Sequence, residues 1–234
     1  LRAIIGGETD PDKLSTLGSP RLAASRSELS DALHGRIREH HRFLIDQHLK
    51  TIEQLEATIA AFDARIEAAL APFHDCVDRL KGIPGLSETS TQFLIAEIGT
   101  DMSQFPTAGH LLSWAGLVPR LDESAGKRRS TRVEKGAPWL KPVLVQCAWA
   151  AARKKNGYFH AQFHRLKARR GAKKAAMAVA ASILATAYHM LADGTCYQDL
   201  GPEHFARRDP ARTARKLADR IRSLGYDVDI RVAA

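Results

Sequence analysis

A chain of 234 residues with 44% hydrophobic side chains has room for one or two domains and enough apolar content to build a core. Its 35 Lys and Arg against 26 Asp and Glu leave a formal charge of +9, an excess that points to a polyanionic partner. Cys76, Cys147 and Cys196 stand far apart without a CxxC pair, which argues against a disulfide framework or a zinc site and for a reducing, cytoplasmic setting.

The longest apolar stretch, near Ala175 to Tyr188, reads as too short to span a bilayer, and the opening residues carry no secretory signal. No membrane partner is expected. The chain opens on Leu1 rather than on a recognisable domain start, and is expected to be a fragment.

Residues 1–24 read as an irregular segment. Within it, "GETDPDKL" has the signals of a helix start, with Asp10 as N-cap and Pro11 in the first helical position. Residues 25–79 read as a helical, coiled-coil linker. Ile45, Ile52, Ile59, Ile66, Phe73 and Leu80 recur every seven residues, and His48, Leu55, Phe62, Ala69 and Cys76 follow three further on. Pro72 should kink the helix or break it near Ala71. A stripe that narrow needs a facing helix. Either the segment from Ser25 to His41 folds back on it, or a second subunit covers it and the chain is a homo-oligomer.

Residues 80–200 read as a compact helical domain. It begins with "LKGIPGLSETSTQFLIAEIGT", a helix, a tight Gly82-Ile83-Pro84-Gly85 turn and a second helix that sends Phe93, Leu94 and Ile98 inward and stops at Gly99. This is the helix-hairpin-helix pattern. Gly82 and Gly85 would let the backbone approach a phosphate, and the N–H groups at the start of the second helix would bind it without reading sequence. The same turn also serves as a purely structural joint. "FPTAGHLLSWAGLVP" then suggests a short helix with Thr107 as N-cap, packed by Leu111, Leu112, Trp114 and Leu117.

"LDESAGKRRSTRVEKG", residues 121–136, follows as a loop-like segment with Ser124 between two acids and a basic run. A serine attacking a phosphodiester needs cations to stabilise the charge that develops on phosphorus. Lys127, Arg128, Arg129, Arg132 and Lys135 are close in sequence, and Ala125-Gly126 allows a tight fold. An ordinary turn serine fits the same residues, and Ser130 competes for the nucleophile's role.

"KGAPWLKPVLVQCAWAAARKK" reads as a helix with Pro138 and Pro142 near its first turn and a buried face of Leu140, Val143, Leu144, Cys147, Ala148 and Ala151. Residues 153–174 hold nine Lys and Arg, Arg153, Lys154 and Lys155 among them, and no acid. Phosphate binding explains that run better than a solvated face, because like charges repel along a helix. Tyr158, Phe159 and Phe163 read as packing residues, and His160 and His164 as surface histidines that add to the basic patch. The alanine-rich segment from Ala172 to Leu191 should be buried centrally and capped by Gly194. Residues 201–234 read as a peripheral helix and tail. No set of carboxylates converges on a metal, and no cofactor is expected in this chain.

The stretches "IPGLSETSTQFLIAEIGT", "FPTAGHLLSWAGLVPR" and "ESAGKRRSTRVEKGAPWLKPVLVQCAWAA" resemble, in order and spacing, the C-terminal domain of IS110-family insertion-sequence transposases, and the heptad segment resembles their coiled-coil linker. The resemblance runs from about residue 20 to residue 200. It implies an RNA-guided DNA transposase of serine-recombinase type, with DNA and a structured bridge (guide) RNA as partners. The nucleophile of the family's "ESAGK" motif falls on Ser124. The resemblance also implies an N-terminal RuvC-like domain with four catalytic acids and Mg2+. No match to that domain occurs in this sequence, so this chain alone is expected to be inactive and to supply the serine half of a composite site.

The expectation is thus an all-α fold, a long helical or coiled-coil arm followed by a compact domain with a helix-hairpin-helix. Its function would be DNA cutting and rejoining in transposition. A non-catalytic helix-hairpin-helix module that binds nucleic acid is the alternative, and an oligomerisation scaffold rests on the heptads alone.

Overall fold

The computed structural model describes residues 1–120, 122–130 and 132–231, and leaves out the side chains of Asp122, Arg128 and Arg129. The fold is all-α apart from one short two-stranded hairpin. The chain divides into two compact units, Leu1–Ala71 and Pro72–Ala234.

In the first unit, α1 (Arg2–Ile5) packs on the long α4 (Glu39–Leu70), and Arg2 pairs with Glu53 at 2.7 Å. Helix α2 (Pro11–Thr16) starts as its sequence predicts, with the Asp10 carboxylate accepting from the Asp12 N–H at 3.0 Å and Pro11 in the first turn. Helix α3 (Arg26–Leu33) is capped by a reciprocal Ser25–Glu28 pair. It packs on α2, where the Ser30 hydroxyl donates to Asp12 at 2.8 Å. The fold-back partner expected from Ser25–His41 is therefore engaged elsewhere.

Helix α4 is about 48 Å long at 1.5 Å per residue. Its heptad residues Ile52, Leu55, Ile59, Phe62 and Ile66 are exposed, with Phe62 65% accessible. Pro72 ends the run, since its ring cannot sit in a helix interior, and Ala71–Phe73 form a 3-10 turn. The last heptad positions, Phe73, Cys76 and Leu80, belong to the second unit, where Leu80 is fully buried.

In the second unit, α5 (His74–Lys81) and α6 (Glu88–Ile98) flank the tight turn, and α7 (Ala108–Trp114) follows. After the hairpin come α8 (Leu140–Arg153), α9 (Tyr158–Arg170) and α10 (Ala172–Asp193), then α11 (His204–Arg207) and α12 (Pro210–Arg222). Helix α10 is central, packed by α5, α7, α8 and α9. Small residues let those helices come close: Ala175, Ala176, Ala180 and Ala187 are buried, and Val179, Ile183 and Leu184 fill the space between them. Leu80, Ile83, Leu94, Leu111, Leu140, Leu144 and Phe159 complete the core, each such side chain contributing about 1.5–3 kcal/mol on burial.

Helix α10 corrects one sequence expectation. Its 22 residues are long and apolar enough to cross a membrane. Half of its apolar window is buried against the surrounding helices. Gly194 caps it at φ +66, as the sequence predicts.

Candidate functional site

The segment read as a loop around Ser124 is a β-hairpin. Its base is a backbone-to-backbone contact between Gly116 and Gly136, where a Cβ added at Gly116 would lie 2.6 Å from the Gly136 nitrogen. Two glycines are needed at this spot because any side chain would fill the space occupied by the other strand. Above it, Pro119 bridges to Val133, and the Arg120 N–H donates to the Arg132 carbonyl at 2.9 Å. Lys141 of α8 donates to the Glu134 carbonyl at 2.9 Å, which ties the base to the helical core. Partial burial lowers the Lys141 pKa below its ordinary value.

Strands β1 (Asp122–Ser124) and β2 (Lys127–Ser130) are antiparallel, with Ser124 opposite Lys127 and Glu123 opposite Arg128. A bulge separates that pairing from the Asp122–Ser130 pair, and such bulges tighten the local twist. Ala125 and Gly126 form the two-residue turn, with φ +50 and +72. Both values are positive, as a type I′ turn requires. Alanine in this region costs about 1–2 kcal/mol, so the turn holds strain next to Ser124.

Directly opposed residues share one face of a hairpin. The exposed Ser124 and Lys127 side chains therefore emerge together at the tip. The Ser124 hydroxyl has no hydrogen-bond partner among the described residues, whereas Ser130 is half-buried and accepts from the Arg132 N–H at 3.1 Å. Lys127, Arg132 and Lys135 are exposed and make no ion pair among the described residues. The Arg128 and Arg129 side chains, expected to contribute, lie outside the described residues. Arg153, Lys154 and Lys155 are exposed at the end of α8. The hairpin can offer a hydroxyl and cations to a phosphate. It brings no histidine to Ser124, and Glu123 alternates to the opposite face.

Gly85 has a packing rationale, the structural joint that the sequence also allowed. At φ +92, a Cβ there would overlap the Cys147 carbonyl and lie 2.8 Å from the Ala151 nitrogen. The glycine is required by close packing of the turn on α8. Gly82 is exposed, and its added Cβ would meet only the Arg79 carbonyl at 3.1 Å and Tyr197 at 3.5 Å. At the start of α6, the Ser87 and Ser90 side chains already take up backbone N–H groups, and Glu88 occupies the first turn.

Phe159 and Phe163 are core residues, as expected. His160 and His164 lie with ring centroids 4.3 Å apart, and the His160 Nδ1 is 2.7 Å from the Ala152 carbonyl. Desolvation first, then His160 and Lys167, hold the His164 pKa below its ordinary value. Trp114, expected to be packed, is 44% exposed and lies against Phe105. The Thr107 hydroxyl pairs with His110 at 2.8 Å instead of capping α7 with its side chain. Among the described residues no group of three His, Cys, Asp or Glu could hold a metal ion.

Sequence reasoning missed Trp139, 71% exposed beside the hairpin base at the start of α8. Its position next to Pro138 and the basic run was the available signal.

Residues 77–164, from α5 into α9 and including the whole hairpin, match the family model described as Transposase IS116/IS110/IS902 family. The chain is also similar to the insertion element IS110 uncharacterized 43.6 kDa protein of Streptomyces coelicolor, with 30% identity over 157 residues. The match covers 64% of this chain and 36% of that relative, so the chain spans little more than a third of the relative's length.

Proposed function

We propose that this chain is the linker and C-terminal portion of an IS110-type insertion-sequence transposase, which cuts and rejoins DNA phosphodiesters through Ser124. The observation that carries the reading is the exposed Ser124 at the tip of a braced hairpin, opposite Lys127, inside the segment matched by the transposase family.

In the proposed reaction the Ser124 Oγ attacks the phosphorus of a DNA strand. An O–P bond to serine forms, the bond to one strand oxygen breaks, and that oxygen takes up a proton. Attack by a hydroxyl of another strand on the serine-linked phosphate reverses the chemistry and rejoins DNA. Lys127 offsets the charge on the five-coordinate phosphorus. Arg132 and Lys135 neutralise the flanking backbone, with Arg128 and Arg129 continuing the same run. The base that takes the Ser124 proton comes from outside the hairpin. The resemblance assigns acids and Mg2+ to a separate RuvC-like domain, and this chain would then complete a composite site only with a second subunit. The exposed α4 stripe is the proposed surface for that pairing. A guide RNA is a further proposed partner.

A non-catalytic nucleic-acid module is the second reading, favoured by the absence of a base beside Ser124 among the described hairpin residues. Covalent trapping separates the two. The complete transposase containing this chain should form a serine-linked adduct on a nicked suicide substrate, and Ser124→Ala should abolish it while leaving DNA binding intact. A retained adduct in that variant contradicts the assignment.

A further inference from the structure

A second basic feature lies away from the serine hairpin. Helices α9, α11 and α12 enclose an open groove of about 870 Å3. Arg165 and Arg169 line one wall from α9, Arg212 and Lys216 line the other from α12, and Arg208 stands at the turn between α11 and α12. Each wall repeats a cation at i and i+4, about 6 Å along its helix axis. The five cations are exposed, and none makes an ion pair among the described residues. The one acid of the lining, Asp209, is engaged as the α12 N-cap, accepting from the Arg212 N–H at 3.0 Å.

The floor is fixed. Arg165 sits 4.3 Å over the Phe205 ring, and Phe205 stacks on Tyr158 with centroids 5.0 Å apart. The cation–π contact and the stack hold α11 against α9. Two rows of cations, five against the single Asp209 carboxylate, face each other across a preformed groove and repel one another unless a further anion lies between them. The open groove and the paired rows suit a chain of phosphates, not a single small anion.

We infer that this groove binds the sugar-phosphate backbone of a nucleic-acid strand, as a second contact separate from the Ser124 hairpin. The choice of nucleic acid as the polyanion rests on the function proposed above; the groove itself does not. Bases are not read by it. The contact is electrostatic and salt-dependent, and it positions a strand without specifying sequence. Duplex DNA, single-stranded DNA and folded RNA share the chemistry.

The test uses the 234-residue chain and fluorescein-labelled probes of those three kinds, with anisotropy measured across a potassium chloride series. Arg169→Gln, Arg212→Gln and Lys216→Gln together should weaken binding of at least one probe about tenfold or more and reduce its log–log salt slope by about 2–3. Circular dichroism melting checks that the triple variant is folded, and the single Arg169→Glu exchange on an exposed helix position should also lower affinity measurably. The probe that loses most identifies the strand type. Unchanged affinity and slope on all three probes in both variants overturns the groove. If Lys127→Gln, Arg132→Gln and Lys135→Gln lower affinity while the groove variants do not, the groove fails and the proposed function stands. If the groove variants lose affinity but no Ser124-dependent adduct forms, the groove stands and the cutting role fails.

Discussion

Ser124 and Lys127 are direct cross-strand partners, separated by a two-residue turn whose residues both lie at positive φ. The pairing puts an exposed hydroxyl, without a hydrogen-bond partner among the described residues, and an ammonium group on one face at the end of a hairpin anchored by a glycine–glycine backbone contact. Ser130, the alternative nucleophile, spends its hydroxyl on the Arg132 N–H. Ser130→Ala should therefore cost about 1 kcal/mol of local stability, the worth of one such bond. Adduct formation, measured alongside a thermal melt, should persist in that variant.

Gly85 is the position where the two readings of the tight turn part. Gly85→Ala drives a methyl group into Cys147 and Ala151 and adds the strain of a positive φ. A loss of about 2–5 kcal/mol is expected from overpacking and left-handed backbone combined. Gly82→Ala, with φ −62, should lose about 1 kcal/mol or less. Urea unfolding of both variants checks the contrast. Equal, small losses would contradict the packing role of Gly85.

The exposed α4 stripe predicts self-association. Ile59→Glu with Phe62→Glu should convert a dimer to a monomer in sedimentation velocity with little loss of helix content, because neither side chain is buried within the chain. A monomeric wild type at all concentrations would contradict pairing between copies.

The His164 pKa is lowered in the folded chain, chiefly by desolvation. The unfolded chain then binds the proton more readily, so this group's contribution to stability is lost as pH falls below about 6.5 and levels off below the folded pKa. Replacing His164 with Gln should flatten that part of the profile, read as melting temperature between neutral and mildly acidic pH.

The parts of the fold set by local chemistry were legible. Asp10 and Pro11 start a helix, Gly99 and Gly194 end helices, and the alanine-rich segment is central. Pro72 breaks the heptad helix for a covalent reason visible in the residue itself. What escaped the sequence depends on distant partners. The need for Gly85 lies in α8, some sixty residues away, and the groove joins Arg165 and Arg169 to residues that read as a peripheral tail. The hairpin escaped because its strands are three and four residues long and charged, with no alternating apolar pattern. Ser124 stands out as a candidate through the "ESAGK" resemblance and the basic run together; its pairing with Lys127 needs the register.

The most direct test of the central claim is covalent trapping on a nicked suicide DNA with the complete transposase, followed by mass spectrometry of the adduct peptide. A phosphodiester linkage mapped to Ser124, absent in Ser124→Ala and retained in Ser130→Ala, is the predicted result. DNA binding without an adduct, or an adduct on another residue, would contradict the account.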